Sequence, residues 1–85
     1  MWKLEYTTVA EKSIRSLSYP EKKKIKNALE SLQINPDLGK QLVGPLKGLR
    51  SLRVGDYRII YKKENNDLII LVVAVGHRKD IYKKF

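Results

Sequence analysis

The sequence predicts an α+β domain. An antiparallel β-sheet carries an N-terminal helical hairpin on one face, in the order β-α-α-β-β-β, followed by a short basic tail. Three observations lead there. Apolar residues fall at helical spacing between residues 8 and 34, and in alternating or continuous runs between residues 49 and 75. The two stretches meet in a Pro- and Gly-rich segment, residues 35–48. Neither stretch is apolar enough to bury a core alone, so residues 1–85 are expected to form a single domain. A chain of this size buries only about 60–65% of its unfolded surface, which places any chemistry on an exposed face or in a shallow groove.

Trp2-Lys3-Leu4-Glu5-Tyr6 alternates apolar and charged residues, the period of a half-buried strand. Thr8 and Glu11 stand at capping-box spacing, so a helix is expected to start there and to bury Ala10, Ile14 and Leu17. Ser18 and Glu21 repeat that spacing, and Pro20 suits a first helical turn. Ile25, Leu29 and Leu32 follow at i, i+4 and i+7, and Asn35-Pro36-Asp37 stops the helix. Strands are expected over Leu49–Val54, Tyr57–Tyr61 and Leu68–Val75. Gly55-Asp56 reads as the turn joining the first two, although Asp-Gly is the stronger order for such a turn. Residues 64–67 form the second turn. Leu68–Val75 is continuously apolar, as the centre of a sheet requires, and Gly76 is expected to close it.

Composition narrows the function classes. There is no cysteine, which removes structural disulfides, thiolate nucleophiles and Cys-ligated zinc together. The first twelve residues hold no apolar signal core, and the longest apolar run is far short of the ~20 residues of a membrane helix. A soluble, cytoplasmic protein with no membrane partner is therefore expected. Eighteen Lys and Arg stand against 9 Asp and Glu, a formal charge of +9, which favours an anionic partner. Residues 1–44 carry 8 basic and 5 acidic side chains, whereas residues 45–85 carry 10 and 4. Arg50, Arg53, Arg58 and Arg78 all lie in the second part, and guanidinium forks bind phosphate bidentately where lysine acts as a point charge.

A two-residue Gly55-Asp56 loop would set Val54 opposite Tyr57 and Arg53 opposite Arg58. Like charges directly opposite destabilise a sheet, and an anionic ligand is the simplest compensation. The alternative is a solvated strand face with screened charges. If the tail makes a helical turn, Arg78 and Tyr82 share a side, one to meet phosphate and the other to stack on a base; the alternative for Tyr82 is core packing. His77, the only histidine, is either an acid–base group or a polar surface residue. There is no Gly-rich phosphate loop ending in Lys-Ser/Thr, and Asp56, Glu64, Asp67 and Asp80 suggest no metal pair. No metal or cofactor is expected. What remains is phosphodiester chemistry by Arg, Lys, Tyr and His. RNA brings its own nucleophile, the 2′-hydroxyl, and aimed arginines stabilise the extra charge on phosphorus. A shallow site suffices when another body, such as a ribosome, holds the RNA in line.

The run from Leu46 to Tyr61, with its "GDYRIIY" block, resembles the signature of the RelE/ParE toxin superfamily, as does "GHRKDIY" at Gly76–Tyr82. The resemblance covers essentially the whole chain and lies nearer the RelE branch. It implies a RelE-like fold and a toxin of a type II toxin–antitoxin system. It further implies a ribosome-dependent endoribonuclease, an mRNA interferase, that cleaves mRNA in the A site by 2′-OH attack and so inhibits translation. The partners implied are the ribosome, mRNA and a cognate antitoxin with an acidic or amphipathic binding segment. The alternatives are a ParE-like DNA gyrase inhibitor and a catalytically degenerate RNA- or ribosome-binding protein. Carried over by position, Arg58, Arg78, Tyr82 and Arg53 are the implied catalytic residues. Lys47, Arg50, His77, Lys79, Lys83 and Lys84 are the expected RNA contacts. RelE-type enzymes carry two lysines on the strand before the turn; Leu49 and Ser51 stand there in this chain.

Overall fold

The computed structural model describes residues 1–85, the side chain of Lys84 excepted. Strand β1 (Lys3–Tyr6) leads into helices α1 (Thr8–Arg15) and α2 (Tyr19–Ile34), then β2 (Lys40–Gln41), β3 (Arg50–Val54), β4 (Tyr57–Glu64) and β5 (Ile69–His77). Short 3-10 turns occupy Gly44–Leu46 and Ile81–Lys84. The five strands form one sheet in the order β1-β5-β4-β3-β2. The helical hairpin covers one face. There Ile25, Leu29 and Leu32 of α2, with Ala10 of α1, pack on Ile59, Tyr61, Ile70, Val72 and Val75. The α+β class follows, with the predicted core positions of α2 buried.

Three local expectations are corrected. The sheet is mixed rather than antiparallel, because β1 pairs in parallel with β5, Leu4 opposite Ile70. Alternation marks a strand but carries no information on the direction of its partner. Helix α1 is capped by Thr7, whose hydroxyl accepts from Ala10 N at 3.1 Å and donates to Val73 O at 2.6 Å. One group thus serves helix and sheet together, which Thr8 is not placed to do, and Glu11 pairs with Arg15 instead. In the segment read as loop, Lys40–Gln41 adds an edge strand to β3, too short and polar to show periodicity. The box at Ser18 forms as expected: Ser18 N donates to Glu21 Oε1 at 3.0 Å, and Glu21 N to Ser18 Oγ at 3.4 Å.

A buried knot fixes the 35–48 segment to the sheet. Tyr61 Oη donates to Pro36 O at 2.7 Å and accepts from Gly39 N at 2.8 Å. The ring packs so closely that a Cβ on Gly39 would stand 2.6 Å from Tyr61 Oη. Beside it, Arg50 donates to Gly39 O at 2.8 Å and pairs with Asp37 at 3.3 Å, while Lys63 meets Asp37 at 2.6 Å.

Strand β5 runs past Gly76 to His77, two residues beyond the Val75 end of the apolar run. The tail then folds back over the sheet face away from the helices. Ile81 is fully buried there and closes a second small cluster with Ile60 and Ala74. Among the described residues, no helix is long and apolar enough to cross a membrane.

Candidate nucleic-acid interface

The β3–β4 hairpin sets the site. Its register places Val54 opposite Tyr57, Arg53 opposite Arg58 and Ser51 opposite Ile60, as a two-residue loop requires. Gly55 takes φ +61° while Asp56 keeps a negative φ. That is the φ pattern of a II′ turn, which wants glycine first and so explains why Gly-Asp serves here. Strand alternation then lines Ser51, Arg53, Arg58 and Ile60 along the face opposite the helices. Arg58 also lies across from Gly76 of β5, which presents no side chain.

On this open face Arg58 Nη1 donates to Ser51 Oγ at 3.3 Å. From the tail, Tyr82 Oη donates to the same oxygen at 3.4 Å. Both contacts are long, so each is weak alone. They nevertheless join a strand arginine to a tail tyrosine through a serine that is only 4% exposed. The Tyr82 side chain remains 43% exposed, leaving ring surface for a partner. Arg53 bends back to the turn, its Nε donating to Gly55 O at 3.2 Å. Arg78 reaches the same turn, its backbone N donating to Asp56 O at 2.7 Å and its Nε lying 3.7 Å from Asp56 Oδ1. Four of the residues named from sequence thus gather on or beside one surface. Among the described residues, neither Arg53 nor Arg58 has a carboxylate within ion-pair distance.

Two of the expected RNA contacts lie away from this open face. Arg50 is one residue out of phase with Ser51 and Arg53. It therefore lies on the helix side, tied to Asp37 and Gly39, with a side chain only 17% exposed. His77 pairs with Tyr57, and the two rings meet edge-on with centroids 5.6 Å apart. The same Tyr57 is pushed up from its ordinary pKa by the Glu21 carboxylate, and Glu21 is held low by Ser18 and Tyr57. His77 Nδ1 also accepts from Lys79 N at 3.2 Å, so this histidine belongs to the helix–sheet seam. Lys79 and Lys83 are exposed around the tail, Lys83 lying 3.5 Å from Asp80. Lys47 is exposed at the end of β3 away from the turn. The Lys84 side chain lies outside the described residues.

Ser51 is the residue that sequence reasoning missed as a contributor. It registered only as the place of an absent lysine. Its phase with Arg53 was the available signal, but the tail contact depends on chain folding and leaves no local mark. A groove of about 560 Å³ lies elsewhere, between the helices and β1, with an apolar floor including Leu4, Ile14 and Leu29. An open cationic face suits a polymer held from outside and needs no such cavity.

Residues 4–82 match the family model described as the ParE toxin of the type II toxin–antitoxin system, parDE. Toxin RelG of Mycobacterium tuberculosis is 36% identical over 47 residues, which cover 55% of this chain and 54% of that protein. The chain thus spans about half the length of this curated relative in the match. Among solved structures, the toxin–antitoxin complex RelBE2 from Mycobacterium tuberculosis has a TM-score of 0.84 at 26% identity, covering 91% of this chain and 98% of the other. The isolated E. coli RelE toxin has a TM-score of 0.79 at 20% identity, covering 91% and 84%, a likeness of fold alone. The chain belongs to the ParE toxin family of type II toxin–antitoxin systems, within the RelE/ParE superfamily whose signature its Gly55–Tyr61 and Gly76–Tyr82 blocks resemble.

Proposed function

We propose that this chain is a ribosome-dependent endoribonuclease toxin that cleaves mRNA in the A site, inhibits translation and acts in the cytoplasm. The observation that carries the reading is the convergence of Arg58 and Tyr82 on Ser51, on a face where Arg53 and Arg58 lack carboxylate partners among the described residues. In the reaction the 2′-oxygen attacks the adjacent phosphorus as its proton leaves. The P–O5′ bond breaks, and the 5′-oxygen takes a proton. The products are a 2′,3′-cyclic phosphate and a 5′-hydroxyl. Arg58 offsets the charge that builds on the phosphoryl oxygens, with Arg53 and Arg78 at the neighbouring turn. Tyr82 stacks on a base and orients the 2′-hydroxyl. Lys47, Lys79, Lys83 and Lys84 add longer-range attraction for the backbone. The ribosome supplies alignment that an open face does not.

The test is primer extension of a defined message on translating ribosomes, with and without stoichiometric protein. New protein-dependent 5′ ends in the A-site codon are expected; a message left intact would refute the reading. A second reading, inhibition of DNA gyrase, is favoured by the match to the ParE toxin model. Loss of supercoiling by purified gyrase, with messages uncut, would select it. RNA or ribosome binding with neither effect would select a catalytically degenerate protein.

Either toxin reading includes an antitoxin. The groove beside β1, with Arg15, Lys22 and Lys26 among its lining residues, has the chemistry to receive an acidic, amphipathic segment. Hydrogen-exchange protection of neither this groove nor the open face in the complex would exclude both as its seat.

A further inference from the structure

We propose that Ser51 is a positioning residue that fastens Tyr82 to Arg58 and makes strand and tail a single unit for RNA. The inference rests on the endoribonuclease reading for its kinetic consequence, but its structural half stands apart from it. Ser51 is the buried polar side chain of the open face, 4% exposed, and its Oγ is the meeting point of two donors. A hydroxyl oxygen has two lone pairs, and Arg58 and Tyr82 occupy both. At 4% exposure, Ser51 has little surface with which to touch RNA. Its role is indirect. Held 3.4 Å from Ser51 Oγ, the partly exposed Tyr82 phenol keeps hydrogen-bonding capacity for a 2′-hydroxyl.

The tail needs such a fastening. Its 3-10 turn is one turn long, and its apolar anchor on the sheet is Ile81. A lysine at position 51 would bring a charge but no acceptor, and it would repel Arg58. A serine bonds both neighbours within the space available. The residue that looks like a lost catalytic group thus preorganises the groups that remain.

The experiment compares wild type with Ser51→Ala, Ser51→Thr and Tyr82→Phe. NMR relaxation of the Tyr82 ring is read alongside single-turnover cleavage on ribosomes. Ser51→Ala is expected to free the ring and to slow cleavage at saturating toxin about tenfold, with half-saturation changed less than about twofold. Ser51→Thr keeps the hydroxyl and is expected to recover ring order and most of the rate. Tyr82→Phe, a change at the surface, is expected to free the tail ring even where Ser51→Ala proves too unstable to study. A ring equally ordered in Ser51→Ala, or in Tyr82→Phe if that variant is the one available, overturns the proposal whether or not the protein cleaves RNA. Wild type that leaves messages intact, with the ring released as expected, overturns the endoribonuclease reading and leaves the fastening standing.

Discussion

Arg50 and Arg58 lie on adjacent strands of one hairpin, yet they do opposite work. Arg50 faces the helix side, where Asp37 and the Gly39 carbonyl, beside the Tyr61 knot, take up its charge and its donors. Arg58 faces the open side, where its partner is a neutral serine and its neighbour across the turn register is another arginine. A guanidinium whose charge is already answered holds a structure together. One whose charge is left unanswered is available to a ligand. The difference divides the molecule into a helix-covered face that sets stability and an open face whose arginine charge is left for an anionic ligand, which the proposed function takes to be RNA.

The sharpest break of this division on the stability side is Gly39→Ala. The new Cβ meets the Tyr61 ring and hydroxyl, and the expected loss is about 3 kcal/mol, a fall in Tm of more than about 10 °C by calorimetry. Open-face chemistry, measured below the new Tm, is expected to survive. Tyr61→Phe is the next in size. It leaves the Gly39 N–H and the Pro36 carbonyl without their buried partner, for about 2 kcal/mol by urea denaturation. Arg50→Ala follows at about 1 kcal/mol, since it removes the bond to Gly39 O and the packing of a mostly buried stem.

The smallest effect is one of pH. A hydrogen bond from Lys63 holds the Asp37 carboxyl below its ordinary range, helped by the charges of Lys63 and Arg50. A carboxyl depressed in the folded state adds stability above its unfolded pKa, about 4, and loses it as pH falls through the lower folded value. Tm measured from pH 6 to pH 3 is therefore expected to fall more steeply in wild type than in Asp37→Asn. Parallel curves would remove Asp37 from the stability account.

Much of this is legible in the amino-acid sequence alone. The Gly55-Asp56 turn fixed the pairing of Arg53 with Arg58, because a two-residue loop admits one register. Periodicity found the buried face of α2, whereas Arg50 is grouped with the expected RNA contacts although its phase differs from that of Ser51 and Arg53. Other features had no local signature. The parallel β1–β5 pairing depends on where the helical hairpin returns the chain. The seat of His77 between Tyr57 and the end of α2's first turn depends on helix–sheet packing. Ser51 gains its meaning only when the tail folds over it, bringing together residues 31 positions apart.

The central claim is tested most directly by placing Arg58→Ala and Arg50→Ala side by side in the ribosome cleavage assay, each with its Tm. Arg58→Ala is expected to lose about 100-fold or more in single-turnover rate with Tm nearly unchanged. Arg50→Ala is expected to keep its rate within about threefold and to lower Tm. Equal loss of rate in the two variants, or loss in Arg50→Ala alone, would contradict the division of the molecule into a stabilising face and an RNA-meeting face.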